Sequence, residues 1–285
     1  MQKIIIALAA ATMSAGPAQA EERDRDWSLA LTGGTTTLSG SGDQPFASIG
    51  LTRFFGASYV RLTGSYIDSD EDEALLSTVP ASTRQLTLAA GTVTGALGID
   101  GYLSVGDRDF DTRSFTVRTG RTVTLDSNGS SFGAGLSLTY EVPLGDNGVL
   151  APYIAGDYSQ IDIARAVTLP NGDSFAEEAS EDGVTGSAGA TAAWLFGPDQ
   201  RHSAGLYGAF LASSNNSAFN GTNALRATAL GLGNGPGVSD EWFEYGASAS
   251  FGLSDAVGLD LGIVRTAGFL GPEATSFTIG LRFGF

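Results

Sequence analysis

Ser276 to Phe285 reads SFTIGLRFGF, and its alternation has no fault: Phe277, Ile279, Leu281, Phe283 and Phe285 take one parity, Thr278, Gly280, Arg282 and Gly284 the other. Successive side chains of a β-strand point to opposite faces, so a period of two makes this a strand with one uniformly apolar face. The same design recurs upstream. Phe132, Ala134, Leu136, Leu138, Tyr140 and Val142 share one face of a strand whose other face is Ser131, Gly133, Gly135, Ser137, Thr139 and Glu141. Val184 to Phe196 and Phe243 to Leu253 repeat it.

The composition fits strands better than helices. Forty glycines among 285 residues would weaken helices, whereas glycine suits a wall that must leave room on one side. Mean hydropathy is near zero, +0.07, as expected when a structure is apolar outside and polar inside. The formal net charge of −16 excludes phosphate-backbone binding, which needs a basic surface, so nucleic acid is not a partner. There is no cysteine, hence no disulfide framework and no lipid anchor on a first mature Cys.

Lys3, an apolar run from Ile4 to Met13 and the small-residue site Ala18-Gln19-Ala20 form a cleavable secretory leader, too short to span a bilayer. The expected division is therefore a signal peptide at 1–20 and one exported domain at 21–285. No other stretch is long and apolar enough for a membrane helix.

Twelve strands are expected, at 27–37, 46–55, 58–67, 84–94, 98–108, 130–142, 150–162, 183–195, 201–212, 241–252, 256–267 and 275–285. Connections alternate short and long, and the short ones carry Gly, Pro, Asn or Asp, as at PLGDNGV (143–149) and GPDQ (197–200). This pattern resembles an outer-membrane β-barrel: all-β, transmembrane, antiparallel and up-and-down. Both termini would then lie in the periplasm and the long loops, including 109–129, 163–182 and 213–240, outside. Aromatic girdles are expected at one end from Phe55, Trp194, Phe196, Phe251, Phe283 and Phe285, and at the other from Tyr66, Phe132, Tyr158, Phe210 and Phe243. Gly33-Gly34, Arg53 and a change of phase between Tyr158 and Ile161 break the pattern, the last suggesting a bulge. The apolar face and terminal Phe285 resemble the signal read by the bacterial barrel-assembly machinery, which makes Phe277, Ile279, Leu281, Phe283 and Phe285 the expected assembly signal.

From Leu150 onward, LAPYIAGDYSQIDI, FAEEASEDGVTGSAGATAAW, VSDEWFEYGASASFGLSDAVGLDLG and FTIGLRFGF resemble the translocator domain of autotransporters. The resemblance is strong in the last half and loose in the first, and implies a twelve-stranded barrel. An autotransporter also has a long passenger and a helix threading its pore. Here only EERDRDW separates the expected cleavage site from the first strand, so self-secretion is not expected to carry over.

No catalytic constellation stands out. His202 is the only histidine, and it follows an expected periplasmic turn, the wrong end for the known outer-membrane hydrolase arrangements. The run Asp68, Asp70, Glu71, Asp72, Glu73 lacks the turn glycine and bidentate acid of an EF-hand, and reads as a solvated loop able to bridge divalent cations to lipopolysaccharide. GLGNGPG (231–237) follows no strand and opens no helix, so it is a loop rather than a phosphate cradle. No cofactor or metal is expected.

Specificity is expected on the lumen face, where parity places Arg61, Asp100, Tyr102, Arg108, Glu141, Asp157, Glu244, Asp260 and Arg282, with Glu141 and Arg282 close enough in depth to pair. The expected activity is non-enzymatic, passive passage of small solutes with a cation preference. A structural or surface-interaction barrel is the alternative. An outer-membrane hydrolase is the least expected reading. The bilayer and lipopolysaccharide are the expected surroundings.

Overall fold

In a computed structural model, residues 26–38, 43–68, 82–116, 120–197, 200–215, 239–268 and 273–285 are described. The expected leader at 1–20, most of the acidic run and GLGNGPG lie outside them. The strands are β1 (Trp27–Leu38), β2 (Asp43–Phe55), β3 (Ser58–Asp68), β4 (Ser82–Thr94), β5 (Leu97–Thr116), β6 (Thr122–Tyr140), β7 (Val142–Leu144), β8 (Gly148–Thr168), β9 (Ser174–Phe196), β10 (His202–Ser213), β11 (Asp240–Gly252), β12 (Val257–Ala267) and β13 (Ala274–Gly284).

Each strand pairs antiparallel with the next, save that β6 pairs with β8, and β13 pairs with β1, so the sheet closes on itself. The three-residue β7 continues β6 in the same register against β8. In that register Pro152 stands opposite Tyr140 and has no N–H to give, while the Glu141 amide turns away to the Ala96 carbonyl at 2.8 Å. Twelve strands therefore cross the barrel, as the sequence predicts.

The wall is inside out relative to a water-soluble protein. Leu206 and Phe243 are 58% exposed, whereas Glu244, next to Phe243, is 1% exposed. Outward residues include Leu51, Leu62, Leu88, Leu103, Leu136, Ile154 and Ile279, and the buried positions are rich in Thr, Ser and charged groups. Only a surrounding hydrocarbon phase stabilises that arrangement, and closure satisfies every strand edge.

Four of the tight turns at the end carrying the termini use a glycine with positive φ: Gly56, Gly95, Gly145 and Gly197. The seam is completed by paired backbone bonds between Trp27 and Phe285, at 3.0 and 2.9 Å, and by the inward Thr36 hydroxyl donating to Ser276 at 3.1 Å.

Two expectations are corrected. Segments 109–129 and 163–182 are not loops: β5 and β6 pair as far as Thr116 and Thr122, and β8 and β9 as far as Thr168 and Ser174. The strands outrun their apolar faces, because backbone pairing continues in water after the need for lipid-facing side chains has ended. The phase change in β8 is not a bulge either. Its register with β6 and with β9 is unbroken, and Ile161 and Ile163 are buried on the inward face, while Gln160 and Asp162 take the outward one. The register shift lies instead in β5, between Phe110 and Arg113.

The other weak spots have physical explanations. Gly34 faces inward and lies under the Phe46 ring, whose Cζ would be 2.6 Å from any Cβ there. Arg53 does face outward, at the terminal end, with its guanidinium 5.1 Å from the Trp27 ring centre and 4.9 Å from that of Phe55. It keeps its charge beside aromatic faces at the membrane boundary.

Candidate functional site: the lumen wall

The inward parity of the strands brings Tyr, Gly and Asp together twice across three neighbouring strands. Tyr59 on β3 pairs with Gly91 on β4, which pairs with Asp100 on β5. Tyr102 on β5 pairs with Gly135 on β6, which pairs with Asp157 on β8. In each row the tyrosine leans over the glycine and its hydroxyl donates to the acid, at 2.6 Å to Asp100 and 2.7 Å to Asp157. The missing Cβ makes the reach possible: one at Gly91 would lie 2.6 Å from the Tyr59 ring.

A third group spans β8, β10 and β11. The rings of Tyr153 and Tyr207 stack 6.4 Å apart with their hydroxyls at 3.0 Å. Tyr207 also faces Glu244 at 3.4 Å, and the Trp242 indole donates to the other Glu244 oxygen at 3.1 Å. Trp242 packs with Ala209 and Leu211, so this acid is held in a mostly apolar niche.

Nearer the terminal end, Arg282 on β13 forms an ion pair with Asp260 on β12, Nε to Oδ2 at 2.6 Å, and donates to Ser250 at 2.8 Å. Ser250 donates in turn to Asp260 at 2.7 Å. Arg61 donates to Thr52 at 3.0 Å and lies over Tyr59. Arg108 is 2% exposed, and among the described residues its Nε and Nη1 have no hydrogen-bond partner.

The expected Glu141–Arg282 pair does not form. Their strands, β6 and β13, stand six apart around the barrel, on opposite walls, and Glu141 is exposed where β6 and β7 are interrupted. Asp260 takes its place as the partner of Arg282 because β12 and β13 are neighbours.

Sequence reasoning missed Tyr59, Tyr153, Tyr207, Trp242, Glu181 and Asp240 as inward groups. Tyr59 shares the parity of Arg61, and Trp242 and Asp240 share that of Glu244, so the signal was present. Glu181 pairs with the inward Ile161 and accepts from Asn215 at 2.8 Å. It falls in the segment read as a loop.

His202 and Ser203 are consecutive in β10 and so point to opposite faces. The His202 ring sits between Phe196, at 5.5 Å, and Phe251, at 5.7 Å, within the outer aromatic belt. Phe210 and Phe243, 5.3 Å apart, and Phe132 and Tyr158, 6.3 Å apart, form its counterpart near the far end. Among the described residues, no three His, Asp or Glu side chains are placed to share a metal ion.

A family model described as the autotransporter beta-domain matches residues 31–263. The chain belongs to this family. The match reaches well into the first half, where the sequence motifs alone gave only a loose resemblance. The autotransporter barrel is similar in structure to the translocator domain of NalP from Neisseria meningitidis, with 14% identity, a TM-score of 0.67, and 98% of this chain and 97% of that one covered. It is also similar to the beta domain of the Bordetella autotransporter BrkA, with 15% identity, a TM-score of 0.60 and coverage of 91% and 99%. An outer membrane channel from Pseudomonas putida F1 shares the fold at 10% identity, a TM-score of 0.54 and coverage of 92% and 96%. No curated protein matches the sequence. The autotransporter β-domain is an outer-membrane barrel, which accounts for the apolar exterior.

Proposed function

We propose that this barrel is a non-enzymatic, passive pore for small solutes with a preference for cations. One observation carries the reading: most of the inward acids are held by neutral donors. Asp100 and Asp157 accept from tyrosines, Glu244 from Trp242 and Tyr207, and Glu181 from Asn215. Neutral donors orient a carboxylate without cancelling its charge. Arg282, by contrast, is matched by Asp260. Among the described inward side chains, Asp100, Asp157, Glu181, Asp240, Glu244 and Asp260 face only Arg61, Arg108 and Arg282. A narrow polar lumen with that excess concentrates cations.

In this reading the termini lie in the periplasm, the strand Phe277 to Phe285 is the surface that the assembly machinery recognises, and the far end faces outward. The test is the reversal potential of the folded barrel in a planar bilayer under a salt gradient. Cation preference should appear, weaken in Asp157→Asn with Glu244→Gln, and fade near 1 M salt as the Debye length falls to about 3 Å. Anion preference overturns the charge argument. Folded protein without conductance favours the second reading, a structural or surface-interaction barrel, to which the Asp260–Arg282–Ser250 brace is equally suited.

A further inference from the structure

On the outer face, β2 to β5 enclose a shallow groove of about 800 Å³. Its outward lining falls into two cross-strand rows. One is apolar, Ile49–Gly64–Leu86–Val105; the next, one step toward the far end, is Ala47–Tyr66–Arg84–Asp107. Gly64 and Ala47 have little or no side chain, whereas Ile49, Leu86 and Val105 are half exposed and project around them. The furrow thus follows from residue size.

We propose that this groove seats a phosphorylated lipid of the outer leaflet, lipopolysaccharide, with Arg84 as the phosphate contact. The boundary between apolar and charged surface runs inside the groove, which suits an amphiphile with acyl chains joined directly to an anionic head. Arg84 is exposed and makes no ion pair or hydrogen bond among the described residues, not even with Asp107 opposite it. Arg265, another outward arginine near the far end, is already matched by Glu273 at 3.0 Å. A guanidinium at the polar boundary of a membrane protein gains most from a phosphate, which it can hold by two parallel hydrogen bonds. Gly64 lets an acyl chain lie against backbone between Ile49 and Leu86.

The inference rests on the orientation proposed above, with the far end in the outer leaflet. Its test does not, because it is made in detergent. The folded barrel is titrated with bisphosphorylated lipid A and, separately, with the same lipid stripped of phosphate, and retention is read by native mass spectrometry. One phosphorylated lipid should be held, and the stripped lipid about tenfold more weakly. Arg84→Ala should lose about the same factor, Arg265→Ala nothing, and Gly64→Leu should weaken both lipids by filling the furrow. Each variant is first checked for heat-modifiable migration, and Arg84→Ala decides alone if Gly64→Leu does not fold. Equal retention by wild type and Arg84→Ala, equal retention of the two lipids, or a second barrel occupying this face would overturn the proposal.

Discussion

Replacing Gly135 with alanine tests whether the Tyr–Gly–Asp rows hold the wall. The new methyl would meet the Asp157 carboxylate and the Tyr102 ring, whose Cζ lies 2.9 Å from the Cβ position. Tyr102 must swing away, giving up its 2.7 Å bond to Asp157. A hydrogen bond to a charged group contributes about 1.5–3 kcal/mol, and forcing atoms into a filled site costs about 1–3 kcal/mol when the neighbours shift. Against this, Gly→Ala stabilises by about 0.4–1 kcal/mol through the unfolded chain. The water-facing side of the lumen softens the polar loss, leaving a net destabilisation of about 2 kcal/mol. Gly156→Ala is the control, since nothing lies within 4 Å of its Cβ position, and it should be neutral or slightly stabilising. Urea titration of the barrel folded in micelles, followed by tryptophan fluorescence and gel mobility, should lower the midpoint for Gly135→Ala at constant slope. In a Tyr102→Ala background the penalty should shrink, because the ring is gone and the Asp157 carboxylate, no longer held by the tyrosine hydroxyl, can turn away from the methyl. Equal midpoints for Gly135→Ala and Gly156→Ala, or an undiminished penalty without Tyr102, would refute the reasoning.

Removing Phe285 deletes both backbone bonds to Trp27 and the last outward aromatic of the seam, so less heat-modifiable protein should reach the outer membrane; a normal amount would count against the terminal strand's role. Arg282→Gln leaves Asp260 without its cation, which should cost about 1.5–3 kcal/mol in urea titration and move the reversal potential further toward cations. A shift toward anions would contradict the charge assignment. Tags inserted in 68–83, at the β8–β9 tip around Asn171, or in 213–240 should be labelled on intact cells, whereas tags at Gly145 to Asn147 should not; the opposite labelling would invert the barrel.

Strand number, face and order were legible because lipid demands one apolar face and closure demands neighbours in sequence. Phe277 to Phe285 and Phe132 to Val142 carry that demand without interruption. Strand length was not legible where lipid stops dictating side chains: Ser114 and Thr116 look like loop but still pair backbone with backbone, opposite Thr124 and Thr122. Asp100, Asp157, Glu244 and Asp260 share the parity of the inward-facing residues of their strands, a feature that the sequence carries. Which acid meets which base depends on proximity around the ring, a distance that parity along one strand does not contain. Equal depth therefore suggested Glu141 for Arg282, while adjacency selected Asp260. Tyr59 and Tyr207 carry the inward parity of their strands as Tyr102 does, but what lets their rings fit, Gly91 and Gly246 on the next strand, lies outside the strand whose parity is read.

The overlong hairpins carry the described sheet well past its apolar band. Among the described residues, β4 pairs as far as Ser82 and β10 as far as Ser213, and between them β5, β6, β8 and β9 continue as one four-stranded panel. From Thr185 to Ser174, β9 runs on for about 35 Å of chain at roughly 3.3 Å per residue. With the usual strand tilt, that makes a parapet about 25 Å tall on one side of the mouth. With the far end outward, a phage, an antibody or a neighbouring cell approaching from that side would meet the panel's acidic margin, with Glu178 and Asp182 exposed, before it met the pore.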